Sequence, residues 1–196
     1  MALTKDFIVE KSIGILNRDG IEGLTMRLLA RELDIKAASL YWHFSDKAEL
    51  YAAISERLSA EMTMPVEGST PTEALSSIFS QFREILLRVR DSVSVFENSA
   101  PFTPKRLEII REVSNRFLTL GVKSENLVTV SNMFNNYVLS FVADECRFKK
   151  VTTEQSEEFS ERLSPQDRLI FAVSKDSDGQ FAYGLHLLFC GLEQIT

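Results

Sequence analysis

Apolar residues recur at helical spacing along nearly the whole chain. Leu50, Ile54, Leu58 and Met62 fall every four positions. Leu75, Ile78, Phe79, Phe82, Ile85, Leu86 and Val89 make one stripe, and Leu107, Ile110, Val113, Phe117 and Leu120 a second. Leu127, Val130, Phe134, Tyr137, Val138 and Phe141 make a third. A helix returns to the same face about every 3.6 residues, so each stripe reads as one buried helical face. Thr70-Pro71, Thr103-Pro104 and Ser164-Pro165 each offer a capping hydroxyl followed by a proline in the first turn. Gly20 and Gly121 follow long stripes, where a helix commonly ends. No alternating strand pattern with hairpin turns occurs, and the expected fold is all-α. The spacing predicts helices at 4–18, 25–33, 37–43, 46–64, 71–90, 92–98, 104–120, 125–148, 165–173 and 180–195, with a polar, acidic loop at 149–164.

Composition narrows the class further. The chain has 196 residues, 44% hydrophobic and 26% charged, which excludes disordered and collagen-like classes. No run reaches the roughly 18 consecutive apolar residues of a membrane span, so no membrane association is expected. The first residues lack a basic segment leading into an apolar one, and Cys146 and Cys190 have no CxxC partner. They read as buried thiols in a reducing compartment, and a cytoplasmic location is expected. Net charge is −6, and residues 1–60 carry eight Lys and Arg against nine Asp and Glu. Any nucleic-acid contact must therefore come from a local surface, not from the field of the whole molecule.

Two short helices, expected at 25–33 and 37–43 and separated by Asp34-Ile35-Lys36, have the form of a helix-turn-helix. Leu40 is the inward anchor of the second, which leaves Ala37, Ala38, Ser39, Tyr41 and Trp42 outward. Core packing is the alternative for such an aromatic pair, but so short a helix cannot fill a core from two faces.

The run from Gly20 to Leu33, GIEGLTMRLLAREL, followed by Leu40-Tyr41-Trp42-His43-Phe44 and Lys47, resembles the DNA-binding domain of the tetracycline repressor (TetR) family. Leu-Tyr-Trp-His, and the segment from Gly184 to Glu193, resemble that family's drug-responsive subgroup at both ends of the chain. The resemblance implies an N-terminal three-helix DNA-binding domain at 1–45, a connecting helix at 46–64, and a helical ligand-binding and dimerisation domain at 65–196. It also implies roles. Thr25 caps the second helix and faces a phosphate. Arg27 reaches a guanine edge or a phosphate. Lys36 lies just before the reading face formed by Ala37, Ala38 and Ser39, with Trp42 beside it. Tyr41, His43 and Lys47 position the DNA backbone. For His43 a structural role is the alternative, and nothing beside it suggests catalysis.

Eight of the fourteen phenylalanines lie between residues 79 and 148. An aromatic core explains part of this; the resemblance adds a small-molecule cavity among the central helices. The expected lining includes Phe79, Phe82, Phe96, Val113, Phe134, Asn136 and Asp144, the last two placed on one helix face. In the drug-responsive subgroup a histidine on the sixth helix ligates drug-chelated magnesium. Phe96 holds that register here and cannot ligate, so no metal or cofactor is expected. The expected inducer is a small hydrophobic or aromatic molecule, uncharged or cationic.

Gly184 and Gly191, with Leu188 between them, lie on one face of the last helix, a pattern that invites close approach of a second backbone. The resemblance assigns that face to a four-helix homodimer interface; packing within one chain could use the same glycines. The sequence thus points to a ligand-responsive transcriptional regulator, a repressor released from a palindromic operator. Double-stranded operator DNA, an inducer and a second copy of the chain are its expected partners. The alternative is a helical ligand-binding protein whose helix-turn-helix does not bind DNA. No nucleophile–base spacing, phosphate loop or metal cluster suggests an enzyme, and none is expected.

Overall fold

The computed structural model describes residues 3–149, 162–164, 166 and 176–194. Among them the regular elements are all helical: α1 (Lys5–Gly23), α2 (Met26–Glu32), α3 (Ala37–Leu40), α4 (Lys47–Ser59), α5 (Pro71–Arg88), α6 (Ser92–Glu97), α7 (Pro104–Thr119), a 3-10 turn (Ser124–Asn126), α8 (Leu127–Phe148) and α9 (Ser177–Glu193). The expected loop at 149–164 and helix at 165–173 lie almost wholly outside the described residues.

Local chemistry sets most boundaries. Thr4, Thr25 and Asp46 accept from the Phe7, Leu28 and Glu49 amides at 3.2, 3.1 and 2.8 Å, closing the N-termini of α1, α2 and α4. Thr70 and Glu73 form a reciprocal capping box at α5. Thr103 departs from expectation, because its hydroxyl makes no cap and is buried without a partner among the described residues. Glu56 of α4 caps α7 instead, accepting from the Lys105 amide at 2.9 Å and the Arg106 amide at 3.4 Å. The turn after α2 closes as a Schellman motif: the Ile35 amide donates to Ala30 at 3.0 Å and the Asp34 amide to Arg31 at 3.2 Å. Asp34 takes the left-handed conformation that this motif requires, with φ 53°.

Helix α3 is shorter than expected. After Leu40 the amides of His43 and Phe44 both donate to the Leu40 carbonyl at 2.9 Å, and Phe44 turns inward to become buried. Leu40 and Phe44 join Ile8, Ile15, Leu16, Leu24, Leu29, Leu50 and Ile54 in the core under the first four helices. The second half packs around an aromatic chain in which Phe134 lies 5.3 Å from Phe79, 5.0 Å from Phe117 and 4.9 Å from Phe189.

A buried charge ties three helices together. Arg83 of α5 donates to Glu145 of α8 at 3.0 and 2.8 Å, and to Asp178 of α9 at 2.7 Å. Burial works against the guanidinium, but its bonds to Asp178 and Glu145 prevail and raise its pKa. Breaking such a pair from one side typically costs about 3–5 kcal/mol. Cys146 and Cys190 are unpaired and half-buried, less enclosed than their apolar sequence surroundings suggest.

Candidate functional site

The helix-turn-helix presents a cationic face. Arg27, Arg31, Lys36, Ala37 and Ala38 are exposed, and none of the three cations forms an ion pair among the described residues. Thr25, Arg27, Arg31, Lys36 and Ala37 border one open groove, with Asp34 the one acid among the described residues that line it. Arg27 and Arg31 are one helical turn apart and share a face. Arg31 was not among the expected contacts, although its spacing from Arg27 carries the signal. Beyond the short α3, Tyr41 is 55% and Trp42 90% exposed, an unusual position for such side chains. Ser39, His43 and Lys47 are half-buried, and the Lys47 ammonium sits 5.2 Å from the Tyr51 ring. The local surface is thus basic and aromatic although the first sixty residues are nearly neutral in sum. Such a face can hold phosphates and touch base edges.

A cavity of about 580 Å³ lies among α5, α6, α7 and α8. Phe79, Phe82, Phe96, Val113 and Asn136 all line it, together with Ile78, Ser131, Asn132 and Asn135. Two expected residues do not. Phe134 belongs to the stripe Val130, Phe134, Val138 and Val142, which faces the core. Asp144 is half-exposed and ion-paired with Arg147 at 2.7 Å. It diverges from Asn136 because eight residues exceed two helical turns and rotate the side chain by about 80°.

Arg106, absent from the expected set, also lines the cavity. Its Nη1 donates to Ser99 Oγ at 2.9 Å, to the Ala100 carbonyl at 3.0 Å and to Ser55 Oγ at 3.1 Å. Its guanidinium carbon stands 5.1 Å from the Phe96 ring centre, and Phe96 meets Phe82 edge to face at 5.1 Å. Burial lowers its pKa below the ordinary arginine value, and nearby Glu56 opposes that shift. No sequence signal separated Arg106 from the ordinary solvated cations of an amphipathic helix.

Two links join the cavity wall to the helix-turn-helix half. Ser55 and Glu56 of α4 hold Arg106 and the start of α7. At the α5–α6 corner, Asp91 accepts from the Ile21 amide at 2.8 Å, the Arg90 amide donates to Asn17 at 3.0 Å, and the Arg90 side chain donates to the Arg18 carbonyl at 3.0 Å. Phe96, in the cavity wall, lies on the helix that begins at this corner.

On the last helix the expected glycine face divides. A Cβ on Gly184 would collide with the Tyr137 ring of the same chain, so that close approach is internal. Leu188 is half-buried against the core, and a Cβ on Gly191 would meet nothing within 4 Å among the described residues beyond its own helix. Tyr183 and Leu187 of α9 are exposed, as are Val128 and Met133 of α8.

These features have counterparts in known proteins. The profile of bacterial regulatory proteins of the tetR family matches residues 8–54, and that of the tetracyclin repressor-like C-terminal domain matches residues 64–196. The class D tetracycline repressor protein of Escherichia coli is 29% identical over 202 residues, covering 99% of this chain and 91% of that protein. ActR of Streptomyces coelicolor, a TetR family protein solved in complex with (S)-DNPA, superposes with a TM-score of 0.84 at 25% identity over the full length of both chains. BioQ, solved with its double-stranded DNA operator, superposes with a TM-score of 0.75 at 27% identity, covering 98% of this chain and 99% of that one. With its helix-turn-helix ahead of a helical, cavity-bearing domain, the chain belongs to the tetR family of bacterial regulatory proteins and is a ligand-responsive, DNA-binding repressor.

Proposed function

We propose that the chain acts as a homodimer that holds a palindromic operator and releases it when a small aromatic molecule enters the cavity. Residues 1–45 are assigned to DNA, 46–64 to the connection, and 65–196 to ligand and dimer. The cation face at Arg27, Arg31 and Lys36 carries the DNA assignment. Three cations around one groove, with no ion pair among the described residues and beside an exposed Trp42, suit a phosphate backbone and an adjacent groove better than any other partner. Thr25, Tyr41, His43 and Lys47 are assigned to backbone positioning, and Ala37, Ala38 and Ser39 to reading. Alanine offers contact mainly to a thymine methyl. The exposed apolar residues Tyr183, Leu187, Val128 and Met133, with Gly191, are assigned to the dimer contact.

Release requires the ligand to favour a different separation of the two reading helices, which enter successive major grooves about 34–36 Å apart. The links from the cavity through Ser55 and Glu56 to α4, and through Asp91 to α1, give that preference a physical route. Selection of bound duplexes from a random-sequence pool tests the reading. Enrichment of an inverted repeat with half-sites one helical turn apart supports it, and a pool that stays random excludes it.

A further inference from the structure

We infer that Arg106 is the anchor for an acidic group on the ligand, so that the cavity takes a planar aromatic carboxylate. This rests on the ligand reading above and names the class of molecule. A guanidinium partly withdrawn from water, as half-buried Arg106 is, is normally matched by a carboxylate. Arg106 forms no ion pair among the described residues, and its partners are two serine hydroxyls and a backbone carbonyl. All three bonds use Nη1, and neither Nε nor Nη2 donates to a described residue. The planar fork therefore keeps donors for two parallel bonds to a carboxylate.

The rest of the wall fits the body of such a molecule. Phe96 and Phe82 supply aromatic surface next to the guanidinium, with Ile78 and Val113 among the apolar lining. Asn132, Asn135, Asn136 and Ser131 offer neutral hydrogen-bonding groups on α8, and Ser131 Oγ is buried without a partner among the described residues. Two acids stand near. Glu97 is exposed at the cavity edge, and Glu56 is engaged by the amides that open α7. A cationic ligand would face the guanidinium at close range, so this proposal departs from the uncharged-or-cationic expectation drawn from the phenylalanines alone.

The anchor also has leverage. Through Nη1 the guanidinium holds Ser55 of α4 and the α6–α7 connection at Ser99 and Ala100. A carboxylate drawing the guanidinium into the cavity competes with these contacts, and α4 continues directly from the helix-turn-helix.

Calorimetric titration of the full chain with anthracene-2-carboxylate and with anthracene-2-carboxamide tests this. The two have nearly the same shape and differ in charge. The carboxylate is expected to bind at least tenfold more tightly, and Arg106→Gln is expected to erase that preference, bringing the two affinities together. Circular dichroism reports whether the variant folds; if it does not, the ratio in the unaltered chain still decides. Equal affinities, or a preference that survives Arg106→Gln, overturn the acid anchor while leaving an aromatic site. Binding of neither compound at millimolar concentration overturns the ligand reading as well.

Discussion

The Tyr137 hydroxyl occupies the space where a side chain at Gly184 would begin: a Cβ on Gly184 would stand 2.1 Å from that oxygen. The hydroxyl donates to the Phe181 carbonyl at 2.9 Å, and the Tyr137 ring stacks on Phe181 at 5.5 Å. Gly184 is thus the seat of an α8 side chain on α9 within one protomer. Gly184→Ala should push Tyr137 out and cost about 1–3 kcal/mol, as overpacking does, read by urea denaturation. Gly191→Leu should leave the single chain undisturbed yet shift sedimentation from dimer to monomer. A dimer that persists in Gly191→Leu would remove that position from the contact.

Gly20 is bound by its backbone rather than by space alone. Its φ of 75° and ψ of −175° lie in a region open essentially to glycine. A Cβ there would also meet the Asp91 carboxylate at 2.7 Å. Gly20→Ala should cost about 1–3 kcal/mol in thermal or chemical unfolding. A neutral substitution would mean that the α1–α6 corner is looser than its hydrogen bonds indicate.

Acid should loosen the DNA-binding half through Glu49. The Ser45 amide at 2.6 Å, and then Lys5 at 3.2 Å, hold this carboxyl below the ordinary glutamate range. A depressed carboxylate contributes stability above its unfolded pKa, about 4.3, and loses it as pH falls through the folded value. The stability gap between the unaltered chain and Glu49→Gln should therefore be open at neutral pH and close as pH drops below about 4. A gap independent of pH would contradict the assignment.

Arg27→Ala and Arg31→Ala should weaken operator binding without altering the fold, since both side chains are exposed and form no ion pair among the described residues. If each contacts a phosphate, each change lowers the slope of log affinity against log salt by about 0.9. Unfolding free energy should move by no more than about 0.5 kcal/mol. Equal losses of stability and affinity would mark these arginines as structural.

What could be read in the sequence was the local part. Stripes of apolar residues and the Thr25 and Thr70 caps are contained within one or two turns, and α2, α5, α7 and α8 follow them closely, whereas α1 runs past its expected end at 18, through a kink at Gly20, to Gly23. Distant pairings left no such trace. Glu56 caps α7 from 49 residues away, and Arg83 finds Glu145 across 62. Phe134 and Phe79 look alike in sequence, yet α8 turns Phe134 to the core and its neighbours Ser131 and Asn135 to the cavity. Arg106 looks like any surface cation until α4, α6 and α7 close around it.

The most direct measurement is fluorescence anisotropy of a labelled duplex obtained by selection, titrated with the protein over a range of salt concentrations, with and without anthracene-2-carboxylate. Saturation at two protomers per duplex, affinity falling steeply with salt, and at least a tenfold rise in Kd with the carboxylate are the predicted result. Binding that ignores the carboxylate when calorimetry shows the cavity filled, or no salt-dependent binding at all, would contradict a ligand-released repressor.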